Sequence, residues 1–71
     1  MHEELGNKIR VFRAEHRMSQ TDLAEAIGVT RKTISTIEVG KFTPSTVIAL
    51  KIAQHFGVAV ESIFWLKSQK D

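Results

Sequence analysis

The sequence predicts an all-α domain, a compact bundle of four or five helices. Three observations carry this. Apolar residues recur at helical spacing almost everywhere. Glycines and hydroxyl-bearing residues punctuate those stretches where helices stop and start. No segment alternates in the manner of a convincing strand.

The first helix rests on Leu5, Ile9 and Phe12 at i, i+4 and i+7 and ends near His16 or Arg17. Its start is open between a cap at Gly6 or Asn7 and a beginning nearer Glu3. In the second helix Ser19 is the N-cap and Asp22, three residues on, completes a capping-box-like pair. Met18 and Leu23 form a hydrophobic staple, Leu23, Ala24 and Ile27 face inward, and Gly28 ends the helix in a left-handed turn. Thr30 caps the third helix, where Val29 and Ile34 repeat the staple, Ile34 and Ile37 face inward, and Gly40 closes it. Lys41–Phe42–Thr43–Pro44–Ser45 is a loop. Thr43 caps the fourth helix with Pro44 as its first residue, or Ser45 is the cap instead. Val47, Leu50, Ala53 and Phe56 are the expected inward face, and Gly57 stops the helix. A short fifth helix runs through Ile63 and Phe64, with Ala59 a poor cap. The folded core spans about residues 5–66 and a polar tail 67–71, all in one domain.

At 71 residues the chain is near the lower limit for folding on an apolar core alone, and it has no cysteine to cross-link it. That favours a reducing, cytoplasmic setting. No apolar run reaches the roughly 18 residues of a membrane span, and Glu3 and Glu4 precede no apolar region of a signal peptide. The net charge of +2 is too small to imply nucleic acid by itself, so the placement of the charges decides. His2, His16 and His55 lack metal-ligand spacing, and no catalytic triad or phosphate-binding loop is present. No metal, cofactor or enzymatic activity is therefore expected.

Two helices joined by a short glycine turn form a helix-turn-helix unit. Here Ala24 permits close helix approach, and Leu23, Ile27, Val29, Ile34 and Ile37 supply the apolar wedge. On a helical wheel Lys32 and Thr36 point away from the Ile34–Ile37 stripe. Arg31 and Ser35 flank them, and Thr33 lies on the other flank. This face carries two cations, three hydroxyls and no acid. Lys and Arg can bond guanine O6 and N7, and a threonine methyl can meet the thymine methyl.

The run MSQTDLAEAIGVTRKTISTIEVGKFTPS resembles the DNA-binding domain of the Cro/CI-type repressors, the XRE-like family, with the lambda-repressor-like fold. The likeness extends from about Asn7 to Phe64, and the pattern SQ.(D/E)LA...GV....IS..E.G is matched without a gap. It implies that the third helix lies in the major groove of duplex DNA. Thr30, Arg31, Lys32 and Thr36 then match base-contacting positions. Gln20 would touch a phosphate and brace the third helix, while Thr33 and Ser35 lie at the groove edge. Lys41, Thr43 and Ser45 match a second backbone clamp. Arg13 and Glu38 match an ion pair tying the first helix to the third. The resemblance implies a sequence-specific transcriptional regulator. A homodimeric repressor with an approximately palindromic operator is expected, and Ile63, Phe64, Trp65 and Leu66 are the expected pairing surface. The alternative is an antitoxin that binds a toxin protein and autoregulates its operon. Because the chain stops soon after Phe64, no separate ligand-sensing or oligomerising domain is expected.

Overall fold

A computed structural model describes residues 4–67. The chain runs β1 (Glu4–Asn7), α1 (Ile9–Glu15), α2 (Gln20–Ile27), α3 (Arg31–Glu38), α4 (Thr46–Phe56), α5 (Val60–Ile63) and β2 (Phe64–Lys67). His2 and residues 68–71 of the expected tail lie outside the described residues. The five helices match the upper expectation. The all-α reading needs correction, because β1 and β2 pair antiparallel, with Leu5 opposite Leu66 and Gly6 opposite Trp65. Leu5 therefore belongs to a strand and not to α1, and Lys67 belongs to β2 and not to a tail.

Local chemistry explains the middle of the chain. Ser19 accepts from the Asp22 amide, and the Asp22 carboxylate accepts from the Ser19 amide, each at 2.9 Å. This reciprocal pair satisfies two amides that the first turn of α2 would leave without intrahelical partners. It also holds the Asp22 carboxyl below the usual carboxylate range, chiefly through the Ser19 backbone N–H and then through its hydroxyl. Gly28 ends α2 with φ of 79°. An ordinary L-residue would resist that conformation by roughly 1–2 kcal/mol. The turn lets the Val29 amide reach the Ala24 carbonyl at 2.9 Å, after which Thr30 starts α3 by accepting from the Thr33 amide.

Ile9, Leu23, Ala24, Ile27, Ile34, Ile37, Ile52, Ala53, Phe56, Ile63 and Phe64 form one buried cluster. Burial of this apolar surface is the main favourable term in so small a fold. The expected wedge of α2 and α3 is present in full, with Val29 partly buried beside it.

Two sequence expectations are corrected here, and the open choice of cap for α4 is decided. Val47 and Leu50 are exposed, at 61% and 54%. The inward face of α4 is instead Ile48, Ala49, Ile52, Ala53 and Phe56. Ser45, not Thr43, caps α4, accepting from the Ile48 amide at 3.1 Å, so Pro44 precedes the helix. Ile63 and Phe64 are core residues, which removes them from any pairing surface, while Trp65 and Leu66 remain exposed.

The terminal strands close the bundle. Gly6 is buried beneath Trp65, and a Cβ at this position would lie 2.5–2.8 Å from three atoms of the indole. Only glycine lets the ring lie this close to the strand. The Lys8 ammonium sits 5.9 Å from the same ring's centroid, within cation–π range. Among the described residues no helix is long and apolar enough to cross a membrane.

Candidate nucleic-acid interface

The site is built on α3. Its buried stripe, Ile34 and Ile37, fixes the helix against the core. Thr30, Arg31 and Lys32 are exposed, and Thr33, Ser35 and Thr36 are partly exposed. All six predicted side chains of this region therefore reach solvent from the cap and first two turns.

Their hydroxyls are not equally free. Thr30 Oγ1 accepts from the Thr33 amide at 3.2 Å and lies 3.0 Å from Thr33 Oγ1. Thr30 is thus first a helix cap. The Thr36 hydroxyl donates back to the Lys32 carbonyl at 2.8 Å and lies 3.1 Å from that of Thr33. Its proton is committed to its own helix. Toward a partner Thr36 offers a methyl group and an acceptor oxygen.

The last turn of α3 is held by a polar brace. Arg13 Nε donates to Glu38 Oε2 at 2.6 Å, and a second guanidinium nitrogen donates to Oε1 at 3.2 Å. The Arg13 and Glu38 side chains are only 14% and 2% exposed. A two-point guanidinium–carboxylate contact fixes orientation as well as distance. Gln20 Nε2 donates to Glu38 Oε1 at 3.0 Å, and Arg13 also donates to the Met18 carbonyl at 2.9 Å. The start of α2, the end of α1 and the end of α3 are thereby joined at one carboxylate. The expected ion pair and the bracing role of Gln20 are both present in this geometry.

Asn7 adds a contact that sequence reasoning treated only as a candidate cap. Its Oδ1 accepts from the Ile9 amide at 3.1 Å, which satisfies the first amide of α1, although the N-cap position itself is Lys8 and neither Gly6 nor Asn7. Its Nδ2 donates to the Ile37 carbonyl at 3.1 Å and lies 3.5 Å from that of Glu38. The sheet is thus tied to the end of α3. The only signal in the sequence was an Asn at a helix start; the carbonyl partners lie thirty residues away.

Lys41 follows directly, its amide bonded to the Thr36 carbonyl at 2.9 Å. Lys41, Thr43 and Ser45 are all exposed. The Ser45 hydroxyl is engaged as the α4 cap.

A helix with an exposed cationic face, set by a glycine turn and locked by a largely buried ion pair, is the architecture of a helix-turn-helix DNA-binding domain. The family model described as helix-turn-helix matches residues 9–63. The chain belongs to this XRE-type helix-turn-helix family. It is 52% identical over 58 residues to an uncharacterised HTH-type transcriptional regulator of Methanocaldococcus jannaschii, covering 82% of this chain and 88% of the relative. It is 43% identical over 63 residues to the uncharacterised HTH-type transcriptional regulator YgzD of Bacillus subtilis, covering 89% and 96%. Among solved structures, the restriction-modification controller protein C.AhdI from Aeromonas hydrophila superposes with a TM-score of 0.70 at 28% identity, covering 75% of this chain and 80% of that one.

Proposed function

We propose that the protein is a sequence-specific transcriptional regulator that acts as a homodimeric repressor on cytoplasmic DNA. In this reading α3 enters the major groove. Arg31 and Lys32 contact base edges, Thr36 meets a thymine methyl, and Thr30 contributes from the cap. Gln20, Thr33, Ser35, Lys41, Thr43 and Ser45 hold the phosphodiester backbone. The observation that carries the reading is the exposed, acid-free face of α3 on a helix whose far end is locked by Arg13, Glu38 and Gln20. A rigidly aimed cationic helix suits groove readout, which needs side chains placed to bond base edges.

One reading helix spans few base pairs. A two-fold dimer doubles the contacts and sets half-sites about 34–36 Å apart. Trp65 and Leu66 are the proposed pairing residues. They are 40% and 63% exposed on a strand whose second edge is unpaired among the described residues. An exposed apolar pair on a free strand edge suits association with another copy.

Selection of bound duplexes from random DNA tests the whole reading. The expected product is an imperfect palindrome with half-sites about one helical turn apart. Enrichment of no sequence, with binding indifferent to salt, would remove it. For the pairing surface the measurement is sedimentation: Leu66→Asp should shift the protein toward monomer, and a wild type that is monomeric at micromolar concentration refutes the assignment.

A further inference from the structure

Four helices of this fold end in the same backbone turn, in which a left-handed residue lets a later amide reach back into the helix. For α2, α3 and α4 that residue is Gly28, Gly40 and Gly57, with φ of 79°, 84° and 71°. For α1 it is Arg17, with φ of 55°, the one non-glycine residue with positive φ among those described. The turn after α1 is otherwise the same. The Arg17 amide bonds the Ala14 carbonyl at 3.2 Å, and the Met18 amide bonds the Arg13 carbonyl at 2.9 Å. An L side chain is disfavoured there by contact of its Cβ with the backbone, and glycine escapes that cost.

Among the described residues nothing uses the side chain that causes this strain. Arg17 is exposed, and among the described residues its guanidinium joins no ion pair or hydrogen bond. A cation near a helix C-terminus favours the helix dipole, but Arg13 already stands in the last turn of α1. The turn that holds Arg17 is anchored to the brace, since the Met18 carbonyl accepts from Arg13, which grips Glu38. Gln20, three residues after Arg17, grips the same carboxylate. Arg17 therefore stands on the same fixed corner as the residue proposed to meet a phosphate.

We propose that Arg17 is a further contact to the phosphodiester backbone of duplex DNA, retained in a left-handed conformation because its charge is used outside the chain. The proposal rests on the DNA-binding reading given above.

The test uses the full chain, a mixed-sequence duplex of about two helical turns, and a series of salt concentrations. Arg17→Gly should raise Tm by about 4–8 °C, the shift expected for relief of roughly one left-handed residue. The same substitution should flatten the slope of log K against log salt by about 0.9 per bound chain. Arg17→Lys should keep the slope and gain no stability. An unchanged slope in Arg17→Gly, with a reduced slope in Lys41→Ala, overturns the proposal and leaves the DNA-binding reading intact. A lower Tm in Arg17→Gly assigns the residue to the stability of α1 and also overturns it. Wild-type protein that shows no salt-dependent duplex binding removes both.

Discussion

The α2–α3 unit and the β1–β2 pair both fix the position of α3, but they are made in different ways. The first is local. Its caps reach three residues along the chain, its glycine turn closes over five, and its apolar wedge lies between Leu23 and Ile37. The second is assembled from the two ends, with Glu4 paired to Lys67. Each then delivers a side chain to the last turn of α3. Gln20 bonds the Glu38 carboxylate, and Asn7 bonds the Ile37 carbonyl. The difference teaches that the exposed face of α3 is shaped by nearby residues, while its angle to the rest of the fold also depends on a contact closed across the whole chain. Loop closure of that length costs entropy before any contact rewards it.

The largest expected effect tests the charged arm of this comparison. Removing one partner of a buried ion pair leaves the other charge without compensation, at about 3–5 kcal/mol. The two partners here are not equivalent. Glu38 is nearly sealed from water, whereas Arg13 keeps some exposure and a second acceptor at Met18. Arg13→Ala should therefore approach the full 3–5 kcal/mol, and Glu38→Ala should cost less. Urea unfolding of the two variants measures the asymmetry. Equal losses would show that the carboxylate gains enough from Gln20 and water to stand alone.

The neutral arm is tested at Gly6. A methyl group there must displace the Trp65 indole. Overpacking of this kind costs about 1–3 kcal/mol. Gly6→Ala should also shift the emission of the chain's single tryptophan toward that of a hydrated indole. Helical circular dichroism should persist, because α2 and α3 carry their own caps and core contacts. Loss of helix together with the indole shift would show that the local unit cannot hold without the sheet.

The same contrast explains what was legible. Ser19, Asp22, Gly28 and Thr30 announce α2 and α3 through chemistry that acts over a few residues, and the wheel placed Ile34 and Ile37 inward correctly. The ion pair was legible through resemblance, which supplied a register that spacing alone does not. The strands were not. ELGN and FWLK are four residues each, the first is interrupted by the glycine its partner requires, and neither is a strand without the other. The run Ile63–Phe64–Trp65–Leu66 is apolar throughout, so composition could not show that its first half is core and its second half surface. Helix α4 failed similarly. TVIALKIAQHF carries apolar residues on two faces, and packing against α2 and α5, not period, buries Ile48 and Ile52 while leaving Val47 and Leu50 outside.

Binding experiments sharpen the contrast on the exposed face of α3 itself. Lys32→Ala should weaken binding to the selected duplex by about 1–3 kcal/mol and relax base preference at one position. Thr36 allows a finer question, because its proton is already given to Lys32. If the methyl group is what reads thymine, Thr36→Val should keep the preference and Thr36→Ser should lose it. Competition between thymine and uracil at the contacted position measures this, since uracil lacks the methyl. Preference that survives in Thr36→Ser and disappears in Thr36→Val would assign the readout to the oxygen.

The smallest effect belongs to the cap of α2. The Asp22 carboxyl is held below its ordinary range by the Ser19 amide and hydroxyl. A depressed folded-state pKa means stability that is complete above the unfolded value, about 3.9, and is lost as pH falls through the lower folded value. Asp22→Asn removes this titration. Wild-type protein should therefore exceed the variant in urea midpoint near neutral pH, and the gap should close below about pH 4. The carboxylate is fully exposed, so the gap is small, and amide hydrogen exchange at the start of α2 is the more sensitive probe. The change should stay within α2, with Trp65 emission the same in both proteins at each pH. A matching change at Trp65 would mean that the two arms are one cooperative unit even at this scale, and the division between a local α2–α3 unit and an end-to-end closure would then describe how the parts are encoded but not how they respond.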